Sequence, residues 1–184
     1  AEVRRLRLRE EDGYAPDLDE LRRLAGEGAK LIAFSNPNNP TGALMERATL
    51  EEIVRIARAC GAWVLADEVY RGLDQDGEGA TVSAADLYEK GISVGSMSKA
   101  FSLAGLRLGW IAGRKDLLAA VSIHRDYNTI SVGMIDDLLA AIALESGSAI
   151  LARNRAIVRE NLAILDGWVA REPSISWIRP RSGT

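Results

Sequence analysis

Residues 30–35 read Lys-Leu-Ile-Ala-Phe-Ser, and residues 36–42 read Asn-Pro-Asn-Asn-Pro-Thr-Gly. The first is a short apolar run bounded by turn residues, the pattern of a buried strand. The second holds two prolines, three asparagines and a glycine in seven residues, so it cannot be regular structure. Working outward, the same unit recurs. Ala62 to Ala66 (AWVLA) is apolar and ends at Asp67-Glu68, and Ile92 to Gly95 ends at Ser96. Helical segments lie between. Thr49-Leu50-Glu51-Glu52 is a capping box, followed by Leu50, Ile53, Val54, Ala57 and Cys60 at helical spacing, with Gly61 placed as a C′ residue. Cys60 at that spacing reads as a small core residue. A Gly/Asp-rich loop covers Gly72 to Gly79, and a short helix around Ser83 to Glu89 leads into the third strand. A β-α-β-α-β order over residues 30 to 95 implies parallel strands joined by right-handed crossovers. The fold class is therefore α/β, a mostly parallel sheet with helices on both faces, because the strands are continuous apolar runs rather than alternating ones.

Further out, Pro16-Asp17-Leu18-Asp19-Glu20 starts a helix with Asp17 at the N-cap, ending near Gly26 or Gly28. Leu108 to Ala112 (LGWIA) is another apolar strand. Two longer helices follow, Met134 to Glu145 and Ala149 to Ala170; Pro173 stops the second, and Ile175 to Ile178 reads as a strand just beginning.

Composition narrows the function classes. The chain has 184 residues, 47% hydrophobic and 27% charged, with a formal net charge of −3. Those values are ordinary for a globular protein, and the charge argues against nucleic acid as a partner. One cysteine, Cys60, excludes a disulfide framework and a Cys-built zinc site, and one histidine, His124, argues against a His-rich centre, so no metal is expected. No charge-free apolar run approaches the roughly 18 residues of a membrane helix, and the N-terminus shows no apolar secretion core. A cytoplasmic, membrane-free setting is the default expectation. Of the 23 basic residues, 19 are Arg and only 4 are Lys. Lys30, Lys90 and Lys115 lie in polar surroundings near element ends and read as solvated surface charge. Lys99 differs, because it follows an apolar strand within Gly-Ser-Met-Ser-Lys-Ala-Phe-Ser. Lysine does chemistry that arginine cannot.

In an open α/β sheet, ligands bind outside the carboxyl ends of the strands. Three successive strands here end in unusual polar residues: Asn36 to Gly42, then Asp67, Glu68 and Tyr70, then Ser96, Ser98 and Lys99. Asn39 to Asp67 spans 28 residues and Asp67 to Lys99 spans 32, close to the ~30 of one βαβ unit. Arg107 follows just before a further strand. Singly, an acid at a strand end reads as a helix cap and a Ser/Gly run as a turn; together they assemble an amide, an acid, a phenol, hydroxyls and an amine at one sheet edge. That set points to a Schiff base between the Lys99 amine and a phosphorylated aldehyde. The carboxylate would pair with a protonated ring nitrogen, the phenol and amide with a ring oxygen, and serine and guanidinium with a phosphate.

The strings NPNNPTG (36–42), ADEVY (66–70) and SMSKAFSLAGLRLGW (96–110), in this order and spacing, resemble the class I/II aminotransferases, fold-type-I pyridoxal-phosphate enzymes. The resemblance covers nearly the whole chain. It implies pyridoxal 5′-phosphate as cofactor, with Lys99 as Schiff-base lysine and proton shuttle. It implies Asp67 as pyridinium partner, Tyr70 and Asn39 as ring-oxygen contacts, and Ser96 and Arg107 as phosphate ligands. Ser98 shares the loop without a firm match, and Glu68 beside Asp67 reads as structural. The resemblance further implies transfer of an amino group between an amino acid and a 2-oxo acid, and a homodimer. By the same likeness, residues 1–147 form part of a large cofactor-binding domain. Residues 148–184 then form a long connecting helix and the beginning of a small α+β domain. A phosphate loop and a ring-stacking aromatic expected upstream, and a carboxylate-gripping arginine expected downstream, are not matched here. The chain thus resembles the central part of a longer protein, and the resemblance implies that this part alone is inactive. Arg179 and Arg181 are not assigned the gripping role.

Other readings compete. Ser96-Met97-Ser98-Lys99 fits S-x-x-K, but the companion S-D-N and K-T-G strings are missing; a Ser-His-Asp hydrolase would need His124 and a G-x-S-x-G elbow, also missing. His124 reads as a structural or interface residue; Asn128 and Thr129 follow it in a polar loop that, by the resemblance, approaches a neighbouring subunit's site. Lyases, decarboxylases, cyclases and amino-acid oxidases share these motifs, as does the aminotransferase-like domain of a non-enzymatic transcription regulator.

Overall fold

Leu31–Ser35 (β1), Trp63–Asp67 (β2), Gly91–Ser96 (β3) and Gly109–Ala112 (β4) pair into a four-stranded sheet in the order β1-β2-β3-β4. The computed structural model describes residues 2–75 and 79–183; of the expected loop Gly72 to Gly79, residues 76–78 lie outside the described residues. β1, β2 and β3 are parallel, with Ser35 opposite Asp67 and Asp67 opposite Val94. β4 returns antiparallel to β3 and places Gly109 opposite Ser96. The sheet is therefore mostly parallel, as the β-α-β-α-β order requires.

The helices are α1 (Leu18–Gly26), α2 (Arg47–Cys60), α3 (Ala84–Leu87), α4 (Lys115–Arg125), α5 (Met134–Glu145) and α6 (Gly147–Val169). Val64 and Ala66 of β2 are buried against Leu21 and Ala25 of α1 and Ile53, Ile56 and Ala57 of α2, with Tyr88 closing the cluster beside α3. Burying side chains of this size removes roughly 25 cal/mol for each Å² of apolar surface taken from water, and that term holds these helices on the sheet. Cys60 packs at the edge of the same cluster, as a small core residue. On the opposite sheet face, Leu31 is 50% exposed and Ile111 43%.

Several local expectations hold for their stated reasons. Asp17 caps α1, its carboxylate accepting from the N–H groups of Asp19 and Glu20 at 2.9 and 3.0 Å. Gly61 terminates α2 in the left-handed region at φ 72°, which a side chain would strain.

Others are corrected. The capping box at Thr49 does not start α2; the helix begins at Arg47, behind Glu46, with no side-chain cap. The Asn36 amide exchanges two hydrogen bonds with the Met45 backbone, at 3.1 and 2.8 Å, and delivers the chain in position to turn three residues earlier. The short helix of 83–89 contracts to Ala84–Leu87. The strand expected at Ile175 to Ile178 does not form: among the described residues, 175–180 pair with no strand, and extended chain without a partner leaves its backbone groups to water. The structure also adds α4, whose apolar residues are too weakly sided to mark it.

The C-terminal segment is instead tied down at 181–183. Arg181 and Ser182 donate their N–H groups to the Gly42 carbonyl, Gln75 N–H donates to the Arg181 carbonyl, and Gly183 N–H to that of Leu73. Asp74 forms a single antiparallel bridge with Ser182 there and is buried, its Oδ1 without a hydrogen-bond partner among the described residues. Burial pushes its carboxyl up to about 6; the Thr81 backbone, Arg71, the Ser182 hydroxyl and Arg155 oppose that without reversing it. From the ordinary value of 3.8 to about 6, the folded chain holds a proton that the unfolded chain releases, so this residue's contribution to stability falls as pH rises through that window. The full span corresponds to about 3 kcal/mol. Asp74→Asn carries no charge at any pH. Urea unfolding should find variant and wild type equally stable near pH 4, with the variant gaining up to about 3 kcal/mol by neutral pH.

Candidate active site

The parallel register delivers three polar segments to one edge. At the end of β2 the Asp67 carbonyl accepts from Asn36 N–H at 2.9 Å, and Glu68 N–H donates to the Val94 carbonyl at 2.8 Å. Asn36–Gly42, Asp67–Tyr70 and Ser96–Lys99 therefore leave the sheet side by side. β4 starts at the same edge because it runs back from it, so Arg107 arrives there too.

The loop 36–42 is held by its own side chains. Asn38 donates to the Ser35 hydroxyl at 2.9 Å, and Thr41 donates to the Asn38 carbonyl oxygen at 2.7 Å. This packing presents Asn39 outward, where its amide donates to the Tyr70 hydroxyl at 3.4 Å. The Lys99 ammonium lies 5.5 Å from the centre of the Tyr70 ring. Asn39, Tyr70 and Lys99 are thus brought together from three different strand ends.

Asp67 is exposed, and among the described residues its carboxylate accepts only from Val69 N–H, at 3.2 Å, which leaves an oxygen available to an outside donor. Ser96 Oγ accepts from Ser98 N–H at 2.9 Å, so Ser98 shapes the loop through its backbone. Arg107 takes a left-handed conformation at φ 48°, and its guanidinium donates to the Ala104 carbonyl at 2.8 Å. It is tied to its own turn, and no hydrogen bond joins it to Ser96 among the described residues.

Glu68 points the other way. It is buried, and its carboxylate accepts from the Ser83 hydroxyl at 3.1 Å and Ala84 N–H at 2.8 Å, at the start of α3. Arg71 stands 3.9 Å from its second oxygen. This is the structural role the sequence assigns to it. His124, Asn128 and Thr129 lie exposed at the end of α4 and in the turn beyond, where Asn128 and Thr129 N–H groups donate to the Arg125 carbonyl.

Sequence reasoning misses what supports the loop of Lys99. Met97 is fully buried against Ala140 and Ala143 of α5, and Ala100 is buried between the Val69 carbonyl and the side chain of Asn154. Neither contact has a local signal, since both partners are distant in the chain. A cavity of about 620 Å³ lies elsewhere, lined by Tyr14, Thr41, Asn161, Trp177 and Pro180. The strand-end residues form an open surface rather than that cavity.

Comparison with known proteins agrees with the motifs. Residues 1–183 match the family described as aminotransferase class I and II, and the chain belongs to that family. It is 32% identical over 184 residues to capreomycidine synthase of Streptomyces vinaceus, all of this chain and 47% of that protein. It is 32% identical over 149 residues to aspartate aminotransferase of Streptomyces avermitilis, 79% of this chain and 36% of that one. Among solved structures, a PLP-dependent aminotransferase from Streptococcus suis superposes with a TM-score of 0.92 at 47% identity, covering 98% of this chain and 47% of that one. Aspartate aminotransferase from Thermus thermophilus with maleate superposes at 0.85 and 27% identity, over 96% and 47%. The chain spans about half the length of the relatives it matches, or less. The fold is that of the fold-type-I aminotransferases.

Removing the Glu68 carboxylate strands two buried donors at the head of α3. Glu68→Ala should cost about 2–4 kcal/mol in urea unfolding, whereas Glu68→Gln, which keeps an acceptor, should cost about 1 kcal/mol.

Proposed function

We propose that the whole protein is a pyridoxal-phosphate-dependent aminotransferase in which Lys99 supplies the reacting amine. The observation that carries this reading is the convergence of Asn39, Tyr70 and Lys99 beside Asp67 at one sheet edge. The donor set fits the cofactor. Asp67 offers a carboxylate with a free oxygen for a ring nitrogen, and Tyr70 with Asn39 offers a phenol and an amide for a ring oxygen. Ser96 and Arg107 would take the phosphate. When bound, pyridoxal phosphate supplies an aldehyde that condenses with amines and a ring that accepts the electron pair left at the substrate's α-carbon.

Each residue then has a task of its own. Lys99 would serve as the base that takes the proton from the substrate α-carbon and as the acid that gives it back. Asp67 would hold a ring nitrogen in its protonated form, the form in which the ring best accepts electrons. The Tyr70 ring, 5.5 Å from the Lys99 ammonium, limits where the side chain can swing. The Asn39 amide orients the Tyr70 hydroxyl.

The substrates would be an amino acid and a 2-oxo acid; a relative named aspartate aminotransferase supports the first of the pair. A second reading keeps the cofactor and the lysine but changes the outcome. Capreomycidine synthase matches the entire chain, which favours another fate for the same α-carbon charge. Amino-group exchange between amino acids and 2-oxo acids, assayed on the whole protein, separates the two. We also propose the division into a cofactor-binding part, residues 1–147, and a long helix leading to a second unit, residues 148–184; the 23-residue length of α6 supports it. A homodimer is supported by the exposed apolar residues of α5, Met134 (85%), Ile135 (69%) and Leu138 (61%). No helix among the described residues is long and apolar enough to cross a membrane. A cytoplasmic setting is part of the same proposal.

Borohydride treatment of the whole protein with pyridoxal phosphate should leave the cofactor covalently on Lys99, because reduction turns the carbon–nitrogen double bond into a stable amine. Peptide mass spectrometry reads the site, and label on Lys30, Lys90 or Lys115 instead would sink the assignment.

Asp67 is exposed and makes one local hydrogen bond, so Asp67→Ala should leave the melting temperature nearly unchanged. Turnover should fall by about 10²–10³-fold, the size of losing one preorganised charge partner. Near-normal turnover would count against the site as drawn.

A further inference from the structure

Lys99 is exposed, yet the backbone that carries it is locked from both sides by residues far away in the chain. Met97, two residues before it, is fully buried against Ala140 and Ala143 of α5. Ala100, the residue after it, is 1% exposed and has both of its backbone polar groups engaged. Its N–H donates to the Val69 carbonyl at 3.3 Å, within the turn that also carries Asp67 and Tyr70. Its carbonyl accepts from the side-chain amide of Asn154 at 2.8 Å. Asn154 lies on α6 and is 5% exposed.

We infer that Asn154 is a positioning residue for Lys99, holding the Ala100 peptide so that the lysine amine stays at the strand-end site. This inference rests on the pyridoxal-phosphate reading of Lys99. The physical argument is local. The Ala100 N–H belongs to the peptide bond with Lys99, and the Ala100 carbonyl belongs to the next one. Fixing the first on Val69 and the second on Asn154 fixes both backbone dihedrals of Ala100 and so the direction in which the chain leaves Lys99. A buried carbonyl that loses its donor must find another or turn toward water. Turning it rotates the Ala100–Phe101 peptide and frees the ψ angle of Ala100, which loosens the hold on the neighbouring Lys99–Ala100 peptide and moves the amine relative to the Tyr70 ring, 5.5 Å away. Asn154 is also one of the few polar residues buried in the described structure, and its donated hydrogen bond goes to this carbonyl. A residue serving only to fill space at that position would be apolar, since a buried amide is tolerated only where its hydrogen bonds are made.

The test uses the whole protein, comparing wild type with Asn154→Asp, which keeps the shape but has no N–H to give, and with Asn154→Ala. Asn154→Ser replaces either variant if it does not fold. Each is first melted without cofactor, and each assay runs well below that protein's own midpoint, so that only folded chain is read. The readout is the rate at which pyridoxal phosphate is fixed to Lys99 by borohydride, followed across pH by mass spectrometry. The expected result is a rate lower by at least about tenfold in the variants, with a displaced pH profile. A rate and profile within about twofold of wild type in the folded variants would overturn the inference and leave Asn154 a packing residue, whatever its effect on melting. Failure of wild type to label Lys99 at all would overturn the pyridoxal-phosphate reading itself, and the inference with it.

Discussion

The carbonyl of Asp67 accepts from Asn36 N–H and the N–H of Glu68 donates to the Val94 carbonyl, so that the last ladder bonds of the parallel sheet sit directly beneath the polar residues. That ladder sets Ser35, Asp67 and Val94 in one row across three strands. Side chains alternate along a strand, so a slip of one residue in any of the three would turn its polar end to the other face. The meeting of Asn39, Tyr70 and Lys99 depends on this register more than on any contact among the three.

What holds the register is the core on one sheet face. Val64 and Ala66 are small and fully buried, which lets α1 and α2 approach closely. β3 is thinner still. A side chain at Gly91 would run into the Ala84 carbonyl, and one at Gly95 into the Trp110 ring. Trp110 in turn stands edge-on to Phe101, with ring centres 6.2 Å apart, and so links β4 to the turn that follows Lys99. Only Ser93 puts a side chain on that face of β3, so α3 approaches the start of β3 and the indole approaches its end, beside the edge at which the lysine leaves.

A second layer of order is polar and buried. Asn36 staples its loop to Met45, Glu68 seats the start of α3, and Asn154 reaches the backbone beside Lys99. Asn36 and Glu68 lie in segments that carry a residue of the site, Asn154 touches one, and none of the three reaches solvent freely. Their partners are mostly backbone groups, so these side chains set chain direction as well as adding stability. Asp74 contrasts with them. It is buried with one oxygen unsatisfied, and its carboxyl is pushed up accordingly.

The order of elements from α1 to β4, the αL turn at Gly61, the Asp17 cap and the alignment of three polar strand ends are legible in the sequence. They follow from local conformational preference and from the handedness of parallel crossovers, which need no knowledge of distant partners. The capping box at Thr49 does not reveal the start of α2, because the Asn36–Met45 staple before it is a contact across nine residues. The apolar run Ile175 to Ile178 does not become a strand, because a strand exists only with a neighbour to pair with, and such a run cannot report whether one is there. Which buried polar residues face the lysine loop was equally invisible: Asn154 and Ala100 are 54 residues apart, and nothing around Asn154 distinguishes a buried face of α6 from a wet one. Local chemistry thus set the elements and the identity of the reacting groups. Their distances, and the hydrogen bonds that hold them there, came only from the packing of helices that lie far away in the chain.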